Sequence, residues 1–162
     1  MNETLRKRDY ETLWSGDEEL SVLTFNLNGE TFAIEAIVVQ EILDLLPETN
    51  VPGSMPFVAS VINFRGKVIP LADIRLAFGM VATGNTIDSR IIVIELDLDG
   101  EATLVGIRTD KVYEVTSLNK VASEPPPSVG MRWRADYIHC LVKRDSEFII
   151  VPNLAAIFGL KA

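Results

Sequence analysis

The sequence predicts an all-β fold: two small barrels of about five strands each, packed together and carrying only short helices. Three observations lead there. Short runs of strand formers follow one another with turn signals between them. Segments with helical character are few and brief. Several features also recur in the same order along the two halves of the chain.

Taken in order, residues 20–27 (LSVLTFNL) are strand formers, followed by Asn28-Gly29 and ETFAI. An Asn-Gly pair between two such runs predicts a hairpin, because a type I′ turn needs positive φ at both central residues. Residues 35–46 (EAIVVQEILDLL) predict a helical turn over 36–39 and a strand from about 39 to 45. Pro47, Pro52, Gly53 and Pro56 make 46–56 a loop. Residues 58–64 predict a strand, Arg65-Gly66 a turn and 68–71 a second strand. Asp73 then caps a short helix over 74–78 that Gly79 ends. A loop over 80–89 leads to strands at 90–96, 101–107 and 111–118, the first two joined by a turn at 97–100. The proline-rich 122–130 (ASEPPPSVG) cannot pair inside a sheet. A last hairpin, 137–142 and 147–152, turns around Arg144-Asp145-Ser146, and Asn153 caps the terminal helix LAAIFG.

The repeat is carried by three pairs of segments. DIRLAFG at 73–79 answers NLAAIFG at 153–159, an offset of 80; NGE at 28–30 answers DGE at 99–101, an offset of 71; VQEI at 39–42 answers VYEV at 112–115, an offset of 73. The repeat halves are about 20–80 and 89–160, preceded by a flexible arm over 1–19 in which Leu13 and Trp14 are the apolar points. A five-stranded barrel is too small to close a large core by itself, so the two share buried surface and fold as one unit. A groove between them is then available to a partner.

Composition narrows the function. Apolar residues make up 48% of the chain, the formal charge is −8 and the pI about 4.7. Without a basic stripe, phosphate backbones and anionic membrane surfaces are poor partners. One cysteine, Cys140, permits no internal disulfide and fits a reducing compartment. No run is apolar enough to span a membrane, and the first nineteen residues have no apolar signal core. The expectation is a cytoplasmic protein without direct membrane insertion.

Candidate chemistry is sparse. The one histidine, His139, adjoins Cys140 in a predicted strand, where neighbours point to opposite faces, so a Cys–His couple is badly placed. There is no Cys/His cluster for zinc, no phosphate loop and no dinucleotide fingerprint. The acidic ELDLDGE at 95–101 belongs to a solvated hairpin tip and lacks calcium-loop spacing. The expectation is a non-catalytic protein with no cofactor and no metal.

The stretch VINFRGKVIPLADIRLAFG, residues 61–79, resembles the hallmark of the CheW family of chemotaxis coupling proteins, matching it at Asn63, Arg65, Gly66, Pro70, Asp73 and Arg75. Phe64 replaces the family's usual leucine, and Ser60 stands where it usually has glycine. FNLNGETFAIEAIVVQEIL and VGIRTDKVYEV resemble the flanking family patterns, so the likeness runs over about 20–160. It implies two five-stranded SH3-like barrels, and a non-catalytic adaptor joining the cytoplasmic tips of methyl-accepting chemoreceptors to the regulatory domain of the CheA kinase. It also implies rings with other CheW-like copies and association with receptor arrays at the membrane. By the same resemblance Val39 and Val115 line an apolar receptor groove where the halves meet, with Ile91 and Gly106 as further liners. Arg65, beside Gly66 and Asn63 in its turn, either pairs with Glu41 to brace the fold or meets a partner directly. Two other readings stay open: a coupler for a related chemosensory pathway such as pilus motility, and a small-ligand-binding β-barrel. A nucleic-acid-binding barrel is disfavoured by the acidity.

Overall fold

Four tight turns set the strand order. In the computed structural model, which describes residues 13–14, 18–51, 57–127 and 135–158, each turn has two successive residues at positive φ: Asn28-Gly29, Arg65-Gly66, Asp99-Gly100 and Asp145-Ser146. This is the type I′ geometry that suits the twist of a hairpin. Three turns are stapled alike. The amide of Gly29 donates to Asn26 Oδ1 at 3.0 Å, Gly66 to Asn63 Oδ1 at 2.8 Å and Gly100 to Asp97 Oδ1 at 2.8 Å. The fourth places Ser146 at φ 71°, where glycine would be at ease.

The hairpins are β1 (Glu19–Leu27) with β2 (Glu30–Glu35), β5 (Val58–Phe64) with β6 (Lys67–Ala72), β7 (Arg90–Leu98) with β8 (Glu101–Thr109), and β11 (Ile138–Arg144) with β12 (Glu147–Pro152). Two edge strands, β3 (Val39–Leu43) and β9 (Lys111–Asn119), and two two-residue strands, β4 (Thr49–Asn50) and β10 (Ser123–Glu124), complete the set. Among the described residues, helix is confined to Leu13 and Trp14, to single 3₁₀ turns and to α1 (Leu154–Phe158). Asn153 Oδ1 accepts from the Ala156 amide at 3.0 Å and so caps α1. After Asp73 the expected helix shrinks to one 3₁₀ turn, Leu76–Phe78, stopped by Gly79 at φ 67°. The proline loops are less bare than expected: β4 and β10 lie in them, at the ends of the sheets. Part of each loop, 52–56 and 128–130, lies outside the described residues.

The strands form two six-stranded sheets, ordered β10-β11-β12-β2-β1-β9 and β3-β7-β8-β6-β5-β4. Each is five strands plus a two-residue edge. The sheets are not the halves of the sequence. β7 and β8, from the second half, sit between β3 and β6 of the first, with β6 and β8 parallel. β1 and β2, from the first half, sit between β9 and β12 of the second, with β2 and β12 parallel. Each half thus lends its first hairpin to the other. The central barrel is built from β3 to β8, and the terminal barrel from both ends of the chain.

Strand alternation gives each sheet two apolar faces. One face of each sheet enters a shared core that includes Leu23, Phe25, Phe32, Ile92, Ile94 and Ile107. The opposite faces fill the barrels. Ile62, Phe64, Ile69, Leu71, Ile91 and Val93 fill the central one. Val22, Ala33, Leu118, Cys140, Val142, Ile149 and Val151 fill the terminal one. Leu13 and Trp14 belong to that last cluster, with Trp14 only 1% exposed. The expected flexible arm is therefore corrected at these two residues: burying a tryptophan removes enough apolar surface from water to hold the backbone down.

Candidate functional site

The four residues proposed for the groove separate into two pairs. Val39 lies opposite Ile94 and packs on the shared core. Val115 lies opposite Leu23, another shared-core residue, on edge strand β9. Residues directly opposite across a ladder project from the same face, so both valines look toward the seam between the barrels. Val115 is 64% exposed at its rim. Ile91 and Gly106 do not reach that surface, and the expectation that they line the groove is corrected. Ile91 is fully buried in the central barrel. Gly106 is buried beside it, and a Cβ there would stand 3.1 Å from Ile91 Cγ2 and 3.3 Å from Leu71 Cδ1. A glycine is needed because three core side chains close over its backbone.

A bulge decides which face Glu41 takes. Val39 opposes Ile94 while Glu41 opposes Val93, so one extra residue of β3 is inserted between them. Val39 keeps the seam, and Glu41 turns to the barrel side. There Arg65, at the tip of β5–β6, donates from Nη2 to Glu41 Oε1. The arginine also lies over the Phe64 ring, 5.1 Å from its centroid. The contact that the bracing role requires is thus present. It ties edge strand β3 to the hairpin across the barrel, while most of the guanidinium stays in solvent.

The terminal barrel has a parallel pair that sequence reasoning missed. Arg144, at the β11–β12 tip, lies 3.5 Å from Glu114 on edge strand β9. Thr24 sits at a bulge beside it, its hydroxyl donating to the Glu114 carbonyl at 3.1 Å and accepting from the Glu114 amide at 3.3 Å. The pair stands over an open, largely polar cleft of about 630 Å³ whose walls include Thr31, Tyr113 and Glu147.

A buried polar clip joins the two halves. The guanidinium of Arg75, 1% exposed as a residue, donates to both carboxylate oxygens of Asp73 at 2.8 and 2.7 Å and to Thr83 Oγ1 at 2.9 Å. Asp110 lies 3.6 Å away and accepts from Arg108 at 3.2 Å and from the Asn28 amide at 2.7 Å. Arg108 also donates to Asn85. The Asp73 hydrogen bond, opposed by burial and helped by both carboxylates, raises the Arg75 pKa above its ordinary value. Asp73 is partly exposed and Arg75 keeps Thr83 and Asp110 beside it, so removing Asp73 should cost about 1–3 kcal/mol. Sequence patterning missed this because arginine is read as a surface residue. Asp73 serves Arg75 here more than it caps a helix.

The candidate chemistry stays apart. Cys140 points into the terminal barrel, where burial pushes its thiol up to about 12. His139 lines a small separate cavity with Glu35 and Leu154. Among the described residues no group of three or more His, Cys, Asp or Glu is placed to hold a metal ion.

The CheW-like domain family model matches residues 21–162. The chain belongs to the CheW family. It is 30% identical over 132 residues to the chemotaxis protein CheW of Klebsiella aerogenes, covering 82% of this chain and 77% of that one. The chemotaxis protein CheW of Treponema pallidum is 24% identical over 149 residues, covering 90% and 85%. The crystal structure of the scaffolding protein TtCheW from Thermoanaerobacter tengcongensis superposes with a TM-score of 0.76 at 30% identity, covering 88% and 94%. Within this CheW-family chain, Ser60 is accommodated at the position noted for its departure from glycine. It is buried, and its hydroxyl donates to Glu48 Oε1 at 2.8 Å.

Proposed function

We propose that this protein is a non-catalytic chemotaxis adaptor that holds the cytoplasmic tips of methyl-accepting chemoreceptors and the regulatory domain of the CheA kinase together. The observation that carries the reading is the CheW-like family match across residues 21–162, nearly all of the two-barrel unit. The coupling unit is residues 20–160; the segment before it is an arm whose Leu13 and Trp14 are tucked into the terminal barrel. The receptor site is the seam between the barrels, with Val39 on its wall and Val115 at its rim. A helical hairpin tip lying there follows the helix-in-groove mode. The kinase domain takes a separate barrel end, since an adaptor holds both partners at once. Ring formation with further CheW-like copies rests on the same barrel ends. No helix among the described residues is long and apolar enough to cross a membrane, and the protein joins the array through its partners.

A competition experiment tests this. The protein is saturated with the CheA regulatory domain, and a receptor cytoplasmic fragment is titrated in. A ternary complex is expected, with each single contact weak and strengthened by multivalency. Displacement of one partner by the other overturns the separate-face arrangement.

A further inference from the structure

Every ladder that holds the two halves together pairs a strand of one half with a strand of the other. The four are β1 with β9, β2 with β12, β3 with β7, and β6 with β8. The polar clip also spans the halves, from Asn28, Asp73 and Arg75 to Arg108 and Asp110. Neither half completes a sheet with its own strands. One connection joins them, residues 79–89, of which 81–88 are all exposed.

We propose that two copies of this chain exchange halves. Residues 18–78 of one copy pair with residues 90–158 of the other, and the loop 79–89 opens to serve as the hinge. The resulting dimer contains two complete two-barrel units. The partner is a second copy because an identical chain supplies the missing half with all four ladders intact. Exchange sacrifices the packing of Met80 on the shared core and the bonds that fasten the loop. Those bonds are Asn28 to the Val81 carbonyl at 2.7 Å, Arg75 to Thr83, and Arg108 to Asn85 and the Thr83 carbonyl. The loop keeps the two halves of one chain at high effective concentration, so the closed monomer dominates in dilute solution. During folding, β3 and the free edge of β6 wait for β7 and β8, and at high protein concentration a neighbour's hairpin competes for that place.

The test uses the full chain carrying the pair Asn26→Cys and Lys111→Cys, which face one another across β1 and β9. A second variant, Glu19→Cys with Asn119→Cys, places the pair at the other end of the same ladder and serves where the first folds badly. Native Cys140 is buried and stays out of the reaction. The protein is unfolded, refolded over a range of concentrations, separated by size and oxidised. The expected result is a dimer fraction that grows with refolding concentration and, once oxidised, runs as a covalent dimer without reductant. Two results overturn the proposal: refolding to monomer alone at every concentration, or a dimer whose cysteines close within each chain.

Discussion

The rim of the seam and the interior of the central barrel are separated by the thickness of one sheet, yet they hold residues of opposite kinds. Val115 stands at the rim, 64% exposed, while Ile91 and Gly106 lie wholly inside. One family resemblance pointed to all three. The comparison teaches that a position can matter to an adaptor in two ways: by touching the partner, or by setting the shape of the sheet that presents the contact. Gly106 bears on the seam at one remove, because β8 carries it on one face and the shared-core residues Val105 and Ile107 on the other.

Substitutions inside the barrel should have the largest effect and should not discriminate between partners. Ile91→Ala removes a fully buried side chain and should lower stability by about 2–5 kcal/mol. Gly106→Val, meeting three side chains at van der Waals limits, should cost about 1–3 kcal/mol. Denaturant titration checks both. Receptor and kinase binding should fall together, in step with the folded fraction. Selective loss of receptor binding at full stability would move these residues back to the groove.

The brace should act on a smaller scale. Arg65 and Glu41 are partly solvated, so a double-mutant cycle should return a coupling energy of about 0.2–1 kcal/mol. Arg65→Glu or Glu41→Arg alone should weaken coupling activity, and the double swap should restore part of it. If both single variants are stable and the swap restores nothing, Arg65 acts on a partner instead of on β3.

Glu35 gives the smallest effect and a pH signature. Burial raises its pKa above the ordinary 4.5, so its charged form is less favourable in the folded protein than in the unfolded chain. A raised carboxylate contributes stability that is present below the unfolded value and lost as pH climbs through the folded one. Glu35→Gln should therefore be slightly more stable than the parent at neutral pH, with the gain vanishing in acid. Thermal melts across that range check the sign.

Much of the fold was legible because it is local. Asn28-Gly29 and Arg65-Gly66 announce their turns, and Asn153 and Gly79 mark where helical segments start and stop. The exchange of first hairpins was not legible, since the pairing of β7 with β3 or of β1 with β9 leaves no mark on neighbouring residues. The bulge between Val39 and Glu41 shifts the strand's phase by one residue, so alternation counted along β3 misassigns a face. Similarly, a polar tail gives no sign that Trp14 will find a barrel to enter. In the candidate site the family pattern named Arg65 and Glu41 together, and they are in contact; Val39 and Val115 lie on the seam side of their strands. Ile91 and Gly106 do not; family patterns record that a position matters and not which side of a sheet it faces.

The seam as the receptor site is tested most directly by Val115→Lys, measured for receptor-fragment affinity and thermal stability in the same preparation. The account predicts that affinity falls about tenfold or more, the equivalent of ~1.4 kcal/mol, while the melting temperature and binding to the kinase domain stay as in the parent. Unchanged receptor affinity in the folded variant would contradict it.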